Sequence, residues 1–146
     1  MDKLGFNKRG ATQGTKPVKE QENVKGLFEF TDKHPRAESE SRIYNLIILD
    51  PPAFAKHRGA LHNALKGYTR LNQKAFEKIE RGGILFTFSC SQVVTKDHFR
   101  NAVFTAAALA KRKVRILHQL HQPADHPINI FHPEGEYLKG LVLYVE

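Results

Sequence analysis

Two short stretches hold the residues whose types could do chemistry together. The first is Asp50-Pro51-Pro52-Ala53-Phe54, where an apolar run from Ile43 to Leu49 ends in a carboxylate, two prolines and an aromatic ring. Two consecutive prolines donate no ladder hydrogen bonds, so strand pairing must stop at Asp50 and the acid sits on a stiff loop. The second is Ser89-Cys90-Ser91, where the apolar run Ile84 to Phe88 gives way to hydroxyls and the only thiol of the chain. A thiol at a strand-to-helix turn is a candidate nucleophile when basic groups or backbone N–H donors favour its thiolate. Each feature also has a plainer reading, Asp50 as a turn cap and Cys90 as a small buried hydrophobe.

The elements that must position these groups follow from periodicity. The uninterrupted run Ile43 to Leu49 reads as a strand buried on both faces. Leu61, Ala64, Leu65, Tyr68, Leu71, Ala75, Phe76 and Ile79 recur at three- and four-residue steps and make one apolar helical stripe, with Arg81-Gly82-Gly83 as its C-terminal stop. Ile84 to Phe88 is the next strand. Thr95 reads as an N-cap with Asp97 in the first turn, and Phe99, Val103, Ala106, Ala107 and Ala110 form a second helical face ending in Lys111-Arg112-Lys113. Val114 to Leu120 is a third strand, His121 to Glu136 a proline-punctuated loop, and Tyr137 to Val145 a last strand. This alternation predicts an α/β fold with three parallel strands, helices on the sheet faces and an antiparallel final strand. Asp50 and Cys90 then lie at the carboxyl ends of two consecutive strands, about 5 Å apart if the strands are neighbours. That edge is where open α/β sheets bind ligands.

Composition narrows the classes of partner. A length of 146 residues allows one ordinary domain with a core. Lysine and arginine exceed aspartate and glutamate by 23 − 15 = 8, which favours a polyanion such as nucleic acid. One cysteine rules out an intrachain disulfide framework, and Met1 to Glu20 has no apolar core of a secretory leader. Both point to a cytoplasmic setting without a membrane partner. The histidines, His118, His121, His126 and His132 among them, follow no common zinc spacing, so no metal is expected. Residues 1–42 read as an irregular lead-in with one short element at Val24 to Phe30, and residues 43–146 as the domain.

Four separated blocks now carry a resemblance. They are Asp50-Pro51-Pro52-Ala53-Phe54 with Leu65-Lys66-Gly67-Tyr68 and Leu71-Asn72; Gly82-Gly83-Ile84 through Ser89-Cys90-Ser91-Gln92; Ala124-Asp125-His126-Pro127; and Pro133-Glu134-Gly135 with Tyr137-Leu138-Lys139-Gly140. From about Ile43 to the C-terminus the chain resembles the C-terminal half of the class I S-adenosylmethionine-dependent methyltransferases that make 5-methylcytosine in large-subunit ribosomal RNA. The resemblance implies a partial Rossmann-like sheet. In it Cys90 is the covalent nucleophile and Asp50 holds the cytosine N3/N4 edge. Pro51, Pro52 and Phe54 pack the base, and Ser89, Ser91 and Lys66 join them in the substrate site. Asp50 and Pro51 also border the cofactor pocket. The second cysteine that some cytosine-5 enzymes carry beside the acid is missing here.

The same resemblance implies what is not present. No strand followed by a glycine-rich loop precedes Ile43, and Gly5, Gly10 and Gly14 lack that pattern. In Gly26-Leu27-Phe28-Glu29-Phe30, Gly26 stands where the family has its cofactor-binding acid. The expectation is therefore a catalytic half with little cofactor binding of its own, whose strand 43–49 is an open edge. Such an edge invites a homodimer or a complementary chain. Two other outcomes are compatible with the residues: an inactive fragment that binds RNA or another chain, and a methyltransferase acting on exocyclic amines, which also uses an Asp-Pro-Pro-aromatic loop.

Overall fold

A computed structural model describes residues 43–146; the lead-in 1–42, with its expected element at Val24 to Phe30, lies outside the described residues. The elements run β1 (Tyr44–Leu49), a 3-10 turn (Arg58–Ala60), α1 (Leu61–Lys78), β2 (Ile79–Ser89), α2 (Lys96–Leu109), β3 (Val114–Leu120), a second 3-10 turn (Pro133–Gly135) and β4 (Lys139–Val145). The four strands form one sheet in the order β1-β2-β4-β3. β1 pairs parallel with β2, and β4 pairs antiparallel with both β2 and β3. Three strands thus share one direction and β4 is inserted against them. The expected α/β class and the antiparallel final strand both hold.

Both helices lie on one face of this sheet. Along β2 the buried side chains Leu85, Thr87 and Ser89 alternate with the half-buried Ile84, Phe86 and Phe88. Tyr68 of α1 bonds Ser89 on the buried side, and Val103 and Ala107 of α2 line a groove with Leu141 and Leu143 of the same side. The core sits between this face and the helices: Tyr68, Leu71, Phe76, Leu85, Phe99 and Leu143 are all buried. The stripe read on α1 is confirmed, with Asn72 added to it. Its side-chain amide donates to the Tyr68 carbonyl at 2.9 Å, which lets a polar residue occupy a core position.

Two expectations need correction. The first helix stops at Lys78, before its glycines; Ile79 is already extended and opens β2. Gly82, at φ +81°, and Gly83 belong to an excursion in β2 that shifts the β1–β2 register between Tyr44 and Leu46. A Cβ on Gly83 would lie 2.6 Å from the Ile79 side chain, so the glycine serves a tight strand turn and not a helix cap. Second, β1 is not buried on both faces: Leu49 is buried, whereas Leu46 is 50% and Ile48 63% exposed. β1 is an edge strand of the described sheet, and the helices cover only one of its faces. Arg112, in the basic run that follows the second helix, is partly buried. Its guanidinium donates to the carbonyls of Phe76 at 3.0 Å and Ile79 at 2.8 Å, satisfying the C-terminal end of α1.

The second helix begins as read, with the Thr95 hydroxyl accepting from the His98 N–H at 3.1 Å. The sheet is also tightly packed at Gly140, where an added Cβ would lie 2.6 Å from the Phe88 ring and 2.9 Å from the Leu120 Cβ. Gly140→Ala is therefore expected to cost about 1–3 kcal/mol. Urea unfolding should show a lower midpoint with an unchanged slope; an unaltered midpoint would refute this packing.

Candidate active site

Parallel pairing of Leu49 with Thr87 brings the ends of β1 and β2 to the same edge. The chain leaving β1 must turn at once, because Pro51 and Pro52 cannot extend the ladder. Pro51 is buried, Pro52 exposed and Phe54 half-buried. The Cys90 thiol, half-exposed, lies 3.9 Å from the Pro51 carbonyl oxygen and can donate to it. The acid-proline loop and the thiol, 40 residues apart in sequence, meet at one rim. Asp50 is exposed and its side chain makes no hydrogen bond or ion pair with another described residue, so its carboxylate is open to a ligand.

The two serines beside Cys90 face inward. The Ser89 hydroxyl donates to the Tyr68 hydroxyl at 2.9 Å, and the Ser91 hydroxyl donates to the Ala55 carbonyl at 2.6 Å. Both serines are buried. Expected at the substrate, they tie the Cys90 turn to α1 and to the acid-proline loop. Lys66 is exposed on α1, on the helix that carries Tyr68.

Tyr68 joins the parts. Its ring centroid is 4.6 Å from Phe54 and 5.3 Å from Phe99, the latter edge to face. Phe54 in turn rests on Gly67, where a Cβ would come within 3.0 Å of its ring. Burial pushes the Tyr68 hydroxyl above its usual range, while its hydrogen bonds with the Ser89 side chain and the Phe54 backbone pull the other way. One buried phenol thus holds both the aromatic of the first loop and the residue next to Cys90.

Lys139 lies in one block of the resemblance, with no site role expected of it from the sequence. It is buried and pairs across the sheet with Ser89, and its ammonium donates to the carbonyls of Ser91 and Tyr137, the latter at 2.7 Å. Burial lowers its pKa, and negative charge on Cys90 would oppose that shift. The signal was present: Lys139, Leu141, Leu143 and Val145 alternate in β4, so the lysine falls on the inward face. Beyond it, Lys96 pairs with Glu136 and holds that carboxyl below its ordinary range. Among the described residues no group of three His, Cys, Asp or Glu side chains could hold a metal ion.

An open mixed sheet whose strands share one direction except for an inserted antiparallel one, with helices between strands and polar groups at the carboxyl edge, is a partial Rossmann-like methyltransferase type of fold. Two solved structures share it. One, described as a methyltransferase complexed with SAH, aligns over 83% of this chain and 30% of its own at TM-score 0.61 and 22% identity. The other, described as a SAM-dependent methyltransferase from Streptococcus mutans, aligns over 83% and 29% at TM-score 0.60 and 21% identity. Likeness at this identity speaks for the fold.

Sequence relatives are more similar. The protein named ribosomal RNA large subunit methyltransferase I from Shewanella denitrificans is 45% identical over 106 residues, 73% of this chain and 27% of the relative. Proteins of the same name from Cronobacter sakazakii and Tolumonas auensis are 41% identical over 106 residues and 46% over 100. The chain spans about a quarter of the length of these relatives. No family model matches it.

The Tyr68 clamp has a measurable signature. Tyr68→Phe leaves the buried Ser89 hydroxyl without its acceptor and is expected to cost about 1–3 kcal/mol at neutral pH. In the unmodified chain the unfolded phenol ionises near 10.0 and the folded one later. The unfolded state then holds fewer protons, so this group's stabilisation is full below pH 10 and is lost as pH rises through the folded value. Urea midpoints measured from about pH 9 to 11 should fall less steeply in Tyr68→Phe; equal slopes would refute the assignment.

Proposed function

We propose that residues 43–146 form the catalytic half of an S-adenosylmethionine-dependent methyltransferase that acts on cytosine C5 in large-subunit ribosomal RNA through a Cys90 adduct. The observation that carries this reading is the meeting of the Asp50-Pro51-Pro52 loop with the Cys90 thiol at one strand edge. The names of the relatives support the substrate class. Net positive charge, and the exposed Lys56, Arg58 and Lys66 after the loop, suit a phosphate backbone.

The chemistry needs these groups for definite reasons. Cytosine C5 is a weak nucleophile. Addition of the Cys90 thiolate to C6 forms a C–S bond and places the displaced electron pair on C5. Asp50, against the N3/N4 edge, stabilises the charge that develops on the ring during this addition. C5 then takes a methyl group, loses its proton to a base, and the C6–S bond breaks to return the thiolate. Phe54 and the prolines give a base taken out of its stack an apolar surface. Bound S-adenosylmethionine would supply the electrophilic methyl. Open Asp50 and adjacent Pro51 fit one side of that pocket; no glycine-rich loop for the other side is among the described residues. Cofactor affinity of this chain alone is therefore expected to be weak, with heats in calorimetry only toward millimolar ligand.

Cys90→Ala is the decisive variant. It should abolish methyl transfer to large-subunit rRNA while leaving S-adenosylmethionine affinity within about twofold, because removing the nucleophile removes a unit function and not a binding contact. Retained turnover would overturn the adduct. The partner of the exposed β1 edge is proposed to be a second copy or a complementary chain pairing along Tyr44–Leu49, which exposes Leu46 and Ile48. Sedimentation equilibrium should show concentration-dependent association, and a clean monomer at high concentration would refute it.

A further inference from the structure

Ile130 and Phe131, 88% and 85% exposed, are the most exposed large apolar side chains among the described residues. They sit in the connection 121–138 between β3 and β4. β4 begins at Lys139 opposite Ser89, so this connection re-enters the sheet at the edge that carries Cys90. The exposure does not come from a slack loop. The Gln92 side chain, two residues past Cys90, donates to the Glu134 carbonyl at 3.1 Å, and Gln122 donates to the Gly135 carbonyl. Lys96 pairs with Glu136. Nearer the tip, the Asn129 side chain accepts from the Phe131 N–H at 2.9 Å, and its carbonyl accepts from the His132 N–H at 2.9 Å. The backbone on both sides of Phe131 is fixed, and the ring is held in water.

We infer that Phe131, flanked by Ile130, is a stacking platform for an unpaired base of the RNA beside the target nucleotide. The inference rests on the RNA reading above and extends it to a residue outside the catalytic rim. Size and charge select this occupant. With Ile128 and Tyr137, 39% and 38% exposed on the same connection, the apolar surface amounts to four side chains, still short of the roughly 800 Å² per partner that a stable protein interface needs. Lysine and arginine, 23 against 15 aspartate and glutamate, favour a polyanion. A base needs only one aromatic face, and unpaired RNA bases are commonly gripped in this way. Lys56, Arg58 and Lys66, exposed in the segment after Asp50, are available to phosphates.

Binding of a labelled single-stranded cytosine-containing oligoribonucleotide, and of the same sequence as a duplex, tests this with the full chain. Phe131→Ala should weaken single-strand binding about tenfold and leave duplex binding unchanged, while Phe131→Tyr restores it. The slope of affinity against salt should not change, since no phosphate contact is removed. The chain has no tryptophan, so Phe131→Trp gives a single reporter that the single strand should quench and the duplex should not. Thermal melting is expected to be unaltered, because the ring is exposed in the native state. Single-strand binding that ignores Phe131→Ala, or an unquenched Phe131→Trp, overturns the platform and leaves the RNA reading intact. Failure of the unmodified chain to bind either RNA overturns both.

Discussion

The structure depends on one buried phenol. Tyr68, on α1, lies where the acid-proline loop, the end of β2 and α2 converge, and it meets them by ring packing and by one hydrogen bond. Its ring packs on Phe54 and meets Phe99 edge to face, while its hydroxyl accepts from Ser89. A hydrogen bond inside an apolar core is directional and costly to leave unmade. It therefore sets the height of the Cys90 turn relative to the Phe54 loop more strictly than apolar packing would. Ser91 adds a second tie between the same two segments through the Ala55 carbonyl. The distance between the Pro51 carbonyl and the Cys90 thiol is a result of these two restraints and of the β1–β2 register.

Around that clamp the sheet is lopsided. Both helices lie on one face, and the other bears Leu46, Ile48, Ile84 and Phe86, partly open to solvent. β1, expected from the sequence to be an open edge, is an edge among the described residues. An apolar strand at an edge is a pairing surface. The acid-bearing loop springs from that same strand, so whatever covers β1 also adjoins Asp50. Completion of the sheet and completion of the site are one structural event in this reading.

Much of this was legible beforehand. The 3.6-residue stripe of α1 and the Thr95 cap were readable because helix periodicity and capping are local properties. The order of strands and helices implied three parallel strands, and the absence of a helical pattern before Tyr137 implied the antiparallel one. The misplaced helix end has a physical cause. Arg81-Gly82-Gly83 has the composition of a C-cap, yet Ile79 is needed as a buried β2 residue, and the guanidinium of Arg112 supplies the capping that glycine would have given. A residue 33 positions downstream cannot be read from a local pattern.

Sequence alone determined which chemistry is possible: one thiol, one acid on a proline-stiffened loop, an excess of cations, and blocks in an order similar to a known class of RNA methyltransferases. These are properties of residue type and spacing. Only the tertiary structure decided which of those residues meet. Burial turned Ser89 and Ser91 from candidate contacts into internal ties, brought Lys139 beneath the Cys90 turn, and left Phe131 in water. The reason is that a side chain's role depends on whether water or protein is its neighbour, and strand register and helix docking settle that at distances the sequence does not record.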